Sequence, residues 1–404
     1  MKDLQEIRSL FPIFQTKVNG KKLVYFDNGA TTQKPISVIN SIENYYAHVN
    51  SNVHRGVHYL SNLATDKLET VRCSVQKFLN AKFEHEIIFT KGTTDAINLV
   101  AHCLKRDLDE NSEIIISELE HHSNIVPWQL ACEEVGAKIK VIPLKENGEL
   151  DWSVFEKLLS NKTKLVAISH VSNGLGTINP IKYVIDNAKK FNAKVLIDGA
   201  QAASHMPVNV QKLDVDFYCF SGHKVFGPTG VGVLYGKETV LNSMPPYQGG
   251  GEMIKNVSFK KTTYAELPHK FEAGTPNIAG IIGLGAALDF INKIGLNKIF
   301  EHEINLTEYA TKELLKIKGL KIYGTAQKKS AIISFNVDKL HHYDIGVLLD
   351  KMGVAVRTGH HCNQPIMEKY NIEGTVRISL AFYNTKEEID CCVDAIKKSI
   401  KMLS

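Results

Sequence analysis

Cys362 lies in the segment VAVRTGHHCNQP, residues 354–365, shortly after Arg357, His360 and His361. A thiol beside positive charge ionises more easily, and the thiolate is both a nucleophile and a metal ligand. The segment therefore leaves three interpretations open: a reactive cysteine, a buried core thiol, and a metal site of His360, His361 and Cys362. We favour the reactive cysteine, because three adjacent ligands rarely surround one zinc ion well and the sequence has no second cluster at zinc-finger spacing.

Lys224 lies in a second segment, FSGHKVFGPTGVGVLYG (220–236), directly after a predicted strand and close to Gly222, Gly227, Gly230 and Gly232. Because apolar strands flank it, we expect its amine to be shielded from water. Desolvation lowers the pKa of a lysine and makes the amine a nucleophile toward carbonyl groups. A lysine at the edge of a surface loop is the ordinary alternative, so the interpretation depends on what surrounds Lys224.

Other predicted strand ends carry groups that suit an aromatic phosphate cofactor. Asp198 is predicted to be buried and to need a partner, for which a protonated pyridine nitrogen is suited; a helix cap is the alternative. Thr93 and Thr94 follow a glycine at a helix start, where free N–H groups bind anions. The flat ring of His121 could stack on the cofactor, or pair with His122 as a cap or metal ligand. The remaining candidates are Gln201 and Asn173 for ring oxygens, and Ser221 and His223 for the phosphate.

The elements that must position these groups alternate between strand and helix from about residue 85 to 235. Apolar runs such as EIIIS (113–117) and KLVAISHV (164–171) are separated by helical patterns. This alternation predicts a mainly parallel sheet with helices on both faces. Ligands in such sheets bind beyond the carboxyl ends of the strands.

The pattern changes after about residue 285, where we predict a smaller α+β domain. It contains a long amphipathic helix near 297–317, a strand VAVRTG (354–359), and a closing helix that NTKEE caps. We predict an N-terminal arm over 1–24 that packs with the small domain, a large cofactor-binding domain over 25–285, and a small domain over 286–404 that carries the cysteine loop.

Composition limits the classes of partner. The chain has 404 residues, 44% of them hydrophobic, which is enough for more than one core. A formal charge of +5 without a block of like charges does not favour nucleic acid, and the longest apolar run is too short to cross a membrane. Seven cysteines without CxxC spacing favour free thiols in a reducing, cytoplasmic setting.

Arginine is scarce, since only six of the 48 basic residues are arginines. The few that occur are therefore candidates for binding a carboxylate or phosphate with a planar guanidinium. Arg8, Arg72 and Arg106 fall on predicted helix surfaces, where we expect no such role.

Several motifs together identify a family. DGAQAASH followed by SGHKVFGPTGVGVLYG resembles fold-type I pyridoxal-phosphate enzymes of the aminotransferase class V group. YFDNGATTQKP, VHRGVHYLSNLAT, EHHSNIVPWQ, HVSNGLGT, FEAGTPNIAGIIGLGAAL and RTGHHC resemble a group II, SUF-system cysteine desulfurase. The resemblance extends from about residue 20 to the C-terminus. It implies the fold-type I α/β architecture with a seven-stranded sheet, and pyridoxal 5'-phosphate attached to Lys224.

The resemblance also implies the reaction and the partners. L-Cysteine would be converted to L-alanine, with Lys224 moving the substrate proton and Cys362 holding the sulfur as a persulfide on a short, ordered loop. A sulfur-acceptor protein of the SUF system would take this sulfur for iron–sulfur cluster assembly. Arg377, assisted by Arg357, would bind the substrate carboxylate.

A homodimer is implied as well. Thr275 would contact phosphate in the partner subunit, and His54 and Arg55 would contribute to the substrate site, in part across the interface. No metal, nucleic acid or membrane is expected. The alternatives are a selenocysteine or sulfinate lyase on the same scaffold, for which Cys362 need not be essential, and a metal-binding or sulfur-carrier protein without catalysis.

Overall fold

A central sheet organises the larger part of the protein, whose computed structural model describes residues 4–404; residues 1–3 of the predicted arm lie outside the described residues. Within this range the sheet has seven strands. Five neighbouring strands are parallel, and Gly232–Gly236 is antiparallel to both of its neighbours. Across the sheet the strands are Ile87–Thr90, Gly232–Gly236, Phe217–Ser221, Lys194–Asp198, Thr163–Ser169, Glu113–Ser117 and Lys138–Ile142. The predicted mainly parallel sheet is confirmed.

Helices cover both faces of this sheet because its strands are apolar on both sides. Ile115 belongs to one buried cluster, whereas its neighbours Ile114 and Ile116 belong to the other. Such two-sided burial is typical of parallel sheets. The helices of this part are Ile36–His48, Tyr59–Leu79, Thr93–Leu104, Val126–Val135, Trp152–Leu158, Ile181–Lys189, Val210–Leu213, Glu238–Ser243 and Ile278–Ile294.

A second sheet has a buried cluster of its own, which includes Ile333, Phe335 and Ile378. Its strand order is Leu320–Tyr323, Ile332–Val337, Thr375–Ser379 and Arg357–Gly359, all antiparallel. The helices that accompany it are Leu296–Leu314, His342–Lys351, Gln364–Tyr370 and Lys386–Leu403. Thr385 and Glu388 form the predicted capping box of the last helix.

The predicted strand 354–359 is interrupted. Val354–Ala355 pairs in parallel with Val24–Tyr25, and Arg357–Gly359 pairs with Thr375–Ser379 in the second sheet. The backbone changes partner between Ala355 and Arg357, which the apolar pattern of the segment does not reveal. This change connects the start of the chain to the segment that carries Cys362.

The N-terminal segment contains the helix Leu4–Ser9 and packs through aromatic rings. The Phe11 ring lies 5.5 Å from that of Phe290 and 4.8 Å from that of Tyr383. Arg8 donates to the Tyr383 carbonyl and pairs with Glu388 at 2.5 Å. The segment thus contacts both the helix Ile278–Ile294 and the C-terminal region, and the predicted domain boundaries stay a prediction.

The remaining elements are short. Two-stranded sheets join Lys17–Val18 to Lys21–Lys22 and Ile254–Val257 to Thr262–Tyr264, and 3-10 turns occupy Pro12–Gln15, Glu84–Glu86, Lys105–Asp107, His122–Asn124, Gly222–Lys224 and His269–Phe271. Across residues 4–404, no single helix has both the length and the apolar composition to span a membrane, although Ile278–Ile294 and Leu296–Leu314 meet that test as a pair bent by 75°.

Candidate active site

A cavity of about 270 Å³ opens at the carboxyl edge of the central sheet, where the second sheet meets it. Most of the predicted site residues line it, although they are far apart in the sequence. The lining consists of Gly29, Ala30, Thr93, Thr94, His121, Ser123, Ser169, Val171, Asn173, Asp198, Ala200, Gln201, Ser221, His223, Lys224, Arg357, His361, Cys362 and Arg377. The amine of Lys224 and the thiol of Cys362 therefore face the same space.

Lys224 ends the 3-10 turn that follows the strand Phe217–Ser221. Burial lowers the pKa of its amine to about 8, opposed by Asp198 and reinforced by Arg377. Among the described residues, no side chain forms a hydrogen bond or ion pair with the Lys224 amine. A substantial neutral fraction at physiological pH makes this amine a nucleophile for a carbonyl group.

The N-terminal part of the chain holds the turn that carries Lys224 through hydrogen bonds to one backbone carbonyl. The carbonyl of His223 accepts hydrogen bonds from the Thr31 and Thr32 hydroxyls, both at 3.1 Å, and from the Lys34 amine at 2.8 Å. Burial lowers the pKa of Lys34 to about 7. None of these three residues was predicted as part of the site, although YFDNGATTQKP contains all of them.

Asp198 fits the ring nitrogen of pyridoxal phosphate. It is the last residue of the strand Lys194–Asp198, is 5% exposed, and burial raises the pKa of its carboxyl group. One carboxylate oxygen accepts from the Ala200 N–H at 2.9 Å, and the other has no donor among the described residues. A buried acid with one unpaired oxygen in a cavity suits a protonated pyridine nitrogen as its partner.

The opposite end of the cavity fits a phosphate group. Thr93 begins the twelve-residue helix Thr93–Leu104, so that N–H groups of its first turn face the cavity edge. The Ser221 hydroxyl lies 2.8 Å from both the N–H and the hydroxyl of Thr93. A Cβ atom at Gly232 would lie 2.4 Å from the Gly92 Cα, so only glycine permits this close approach.

His121 presents a neutral ring to the cavity. Burial, together with the charge of Lys224, lowers its pKa to about 3. The backbone N–H of Ser123 donates to His121 Nδ1 at 3.1 Å, which leaves the proton of the neutral ring on Nε2. Burial likewise lowers the pKa of His223 to about 4, so this side chain offers a neutral donor rather than a cation.

Two predicted amide side chains are already engaged with the protein. The Gln201 amide donates to the Gly29 carbonyl at 2.7 Å, and the Asn173 amide donates to the His361 carbonyl at 2.8 Å. Both residues line the cavity, so their predicted contacts with a cofactor ring stay predictions. Asn173 also has a structural role, because its hydrogen bond connects the region after a central strand to the loop that carries Cys362.

Arg357 and Arg377 are directly opposite each other on paired strands. Like charges in that arrangement repel unless an anion lies between them. Arg377 is fully buried, and burial lowers its pKa to about 10, which leaves it charged at neutral pH. It donates to the Asn173 carbonyl at 3.0 Å and to Asp27 at 3.1 Å, while its Nε is buried without a partner. The cavity is therefore suited to a carboxylate.

Cys362 lies on a loop with an unusual backbone. His361 and Cys362 have φ angles of 54° and 59°, a left-handed conformation that non-glycine residues seldom adopt. Burial lowers the pKa of His361 to about 2, and its Nε2 lies 2.9 Å from the Thr375 hydroxyl. The expectation that His361 supplies positive charge to the thiol is therefore wrong, because its ring is neutral.

Three predicted site residues lie outside the cavity. Thr275 is exposed and lines a neighbouring groove with Lys91 and Tyr247. His54 lies 2.9 Å from Glu69, and Arg55 lies 3.1 Å from Glu252. The single chain does not bring these three residues to Lys224.

His54, Glu69 and His269 are close enough to suggest a metal site among the described residues. However, both carboxylate oxygens of Glu69 already accept from Arg72, Oε2 at 2.7 Å and Oε1 at 3.3 Å, and His54 Nε2 lies 2.9 Å from Oε1. The predicted surface position of Arg72 is wrong: it is 1% exposed, because Glu69 and Glu272 enclose its guanidinium group.

Sequence reasoning missed further residues that shape the site. Asp27 pairs with Arg377, Ser123 orients His121, and Asn363 is buried behind Cys362. Glu120 is 0% exposed, and burial raises its pKa to about 7. YFDNGA, ELEHHSN and HHCNQP contain these four residues, and a buried acid next to a candidate catalytic histidine is the signal that could have identified Glu120.

Comparisons with known proteins agree with this arrangement. The aminotransferase class V family model matches residues 24–391. A cysteine desulfurase of Synechococcus elongatus is 50% identical over 397 residues, which make up 98% of this chain and 63% of that longer protein. A probable cysteine desulfurase of Halalkalibacterium halodurans is 50% identical over 395 residues, 98% of this chain and 97% of that protein. The apo structure of a cysteine desulfurase from Thermococcus onnurineus has a TM-score of 0.95 and 40% identity, covering 100% of this chain and 99% of that one.

Proposed function

The chain belongs to the aminotransferase class V family, and from that premise we propose that it is a cysteine desulfurase that uses pyridoxal 5'-phosphate. The observation that carries the proposal is the common cavity of Lys224, Asp198, Arg377 and Cys362. These residues supply an amine, an acid, a carboxylate-binding group and a thiol. A desulfurase needs all four.

Six residues would hold the cofactor. Lys224 would bind its aldehyde carbon, Asp198 its ring nitrogen, and Thr93, Thr94 and Ser221 its phosphate, with His121 against its ring. Once bound, pyridoxal phosphate withdraws electrons from the α-carbon of an amino acid. The lowered pKa of Lys224 suits it to move the α-proton, since a group with a pKa near the working pH is an efficient acid–base catalyst.

Arg377 would orient the substrate by its carboxylate. Its unpaired Nε and its position opposite Arg357 leave donors and positive charge for an anion. Asp27 and the Asn173 carbonyl fix the plane of the guanidinium group. A fixed planar donor set selects a carboxylate at a set distance from the reacting atoms.

Cys362 would take the sulfur. Its thiolate attacks the sulfur of the substrate, so a sulfur–sulfur bond forms while the bond between that sulfur and the substrate β-carbon breaks. The β-carbon keeps the electron pair of the broken bond and gains a proton, which gives alanine. The enzyme retains a persulfide, in which the transferred sulfur has lost the two electrons that the β-carbon keeps.

We also propose a homodimer, a SUF-type sulfur acceptor, a role in iron–sulfur cluster assembly and a cytoplasmic location. The positions of Thr275, His54 and Arg55 outside the cavity support a site completed by a second copy. Val57 and Tyr59, which follow Arg55, are 98% and 76% exposed. Such exposed apolar side chains are typical of surfaces that a partner subunit covers. Seven unpaired thiols among the described residues support a reducing compartment.

Mass spectrometry after exposure to L-cysteine tests the proposal. We expect a mass increase of one sulfur atom on the peptide that contains Cys362, with formation of alanine. Cys362→Ala should keep the visible absorbance of the bound cofactor and form no alanine from cysteine, whereas Lys224→Ala should lose the covalent attachment. Sulfur transfer from cysteine that survives in Cys362→Ala, or a wild-type protein that releases alanine from selenocysteine but not from cysteine, would contradict the assignment.

A further inference from the structure

The loop that carries Cys362 holds a backbone conformation that it would not adopt by itself. Two successive left-handed residues, His361 and Cys362, each cost about 1–2 kcal/mol relative to ordinary backbone. The surrounding structure must supply the interactions that offset this cost. The position of the thiol therefore depends on what holds the loop.

Several hydrogen bonds hold the loop to the segment that carries His121. The His122 N–H donates to the Cys362 carbonyl at 2.9 Å, and the Gln364 N–H donates to His122 Nε2 at 3.2 Å. On the other side, Asn173 donates to the His361 carbonyl at 2.8 Å. Apart from the Asn173 amide, these contacts use backbone groups or the partly exposed ring of His122.

The side chain of Asn363 also holds the loop, and unlike the ring of His122 it is completely buried. It follows Cys362 directly, is 0% exposed, and its amide donates to the Glu120 carbonyl at 3.0 Å and to the Leu119 carbonyl at 3.4 Å. Its side-chain oxygen is buried without a partner. A buried asparagine whose oxygen is unpaired is costly to keep, so its two donated bonds must provide the stabilising contribution.

We propose that Asn363 is a positioning residue that sets the distance of the Cys362 sulfur from the substrate sulfur that it attacks. The carbonyls that it binds belong to the two residues before His121, which itself faces the cavity. One side chain thus couples the nucleophile loop to the wall against which the cofactor would lie. This inference rests on the proposed desulfurase function and adds a residue to it.

The consequence is specific to the sulfur step. Among the described residues, the Asn363 side chain forms no hydrogen bond with Lys224 or Arg377, so substrate binding should not need it. Loss of its bonds should let the loop relax from its left-handed conformation and move the thiol. A misplacement of about 1 Å can lower a rate roughly 100-fold, so we expect kcat to fall by about one to two orders of magnitude while KM for cysteine changes less than about twofold.

Asn363→Leu tests this because leucine keeps the branched shape and removes both donors, and Asn363→Ala serves as a second variant that cannot overpack the site. Asn179→Leu is the matched control. Asn179 is also buried, donates one amide bond to a carbonyl, and leaves its oxygen unpaired, but it does not contact the cysteine loop. Thermal melting of all three variants measures the general cost of removing a buried amide.

Two readouts decide the outcome. The rate at which iodoacetamide alkylates Cys362, followed on its peptide, should rise several-fold in both Asn363 variants and stay unchanged in Asn179→Leu; kcat for cysteine should fall as stated. A wild-type alkylation rate together with wild-type kcat would overturn the proposal, as would an equal loss of kcat in the Asn179 control. Failure of the wild-type protein to form a persulfide would instead contradict the desulfurase function, which alkylation does not require.

Discussion

Replacement of Arg377 by lysine keeps the positive charge and removes the planar donor set. In the wild type, Arg377 uses one terminal nitrogen for the Asn173 carbonyl and the other for Asp27. Lysine has one nitrogen, and its reach ends near only one of these partners. Either Asp27 or the Asn173 carbonyl would then lose its donor, and the substrate carboxylate would lose the fixed Nε.

The magnitude follows from the bond that is lost. A hydrogen bond to a charged group contributes about 1.5–3 kcal/mol. The substrate carboxylate would lose one such bond, so kcat/KM for cysteine should fall roughly 10- to 100-fold. Because the carboxylate is bound in both the ground state and the transition state, most of the loss should appear in KM.

Steady-state kinetics with L-cysteine measures this loss, after the visible absorbance has shown that the cofactor is bound. Arg8→Lys is the control, since Arg8 also donates to a carbonyl and a carboxylate but lies away from the cavity. Binding of cysteamine, which lacks the carboxylate, should be alike in the wild type and in Arg377→Lys. A kcat/KM within twofold of the wild type, or an equal loss for cysteamine, would refute the carboxylate assignment.

Two further predictions concern pH. Burial lowers the pKa of the Lys224 amine to about 8. The rate of covalent attachment of added pyridoxal phosphate to the apo-protein, measured by visible absorbance, should therefore rise with pH and level off above about 8. A midpoint near 10.5 would show that the amine is not desolvated. Burial raises the pKa of Glu120 from 4.5 to about 7, so the folded state retains a proton that the unfolded chain releases, and unfolding free energy should fall by about 3 kcal/mol between pH 4.5 and 7. Glu120→Gln should lose this dependence in urea titrations, and an unchanged pH profile would contradict it.

The sequence predicts the central sheet well because its signals are local. The segment predicted as 113–117 is the strand Glu113–Ser117, and the closing helix begins with its predicted capping box. The carboxyl ends of parallel strands share one edge, so strand ends such as Asp198 and Ser221 can be assigned to one cavity before any coordinates are known. Local signals do not predict the interruption of the segment 354–359, because its first half pairs with a strand at the other end of the chain.

The contacts behind the cavity lining could not be predicted in the same way. Asp27 is separated from Arg377 by 350 residues, and Asn363 is separated from Glu120 by 243. Hydrogen bonds of this kind have no periodicity or spacing in the sequence. The residues that line the cavity follow from strand ends, whereas the residues that orient them follow from tertiary packing.

Charge at the nucleophile shows why neighbours in sequence mislead. His361 precedes Cys362 directly, yet burial keeps its ring neutral. The permanent positive charges that line the cavity belong to Arg357 and Arg377, which reach it from two paired strands. A guanidinium group keeps its charge when buried far better than an imidazole does, because its pKa lies much further above neutral pH. Lys224 and Arg377 both interact electrostatically with Cys362 across the cavity, so a change at Arg377 should affect the reactivity of Cys362 as well as the proposed binding of the substrate carboxylate.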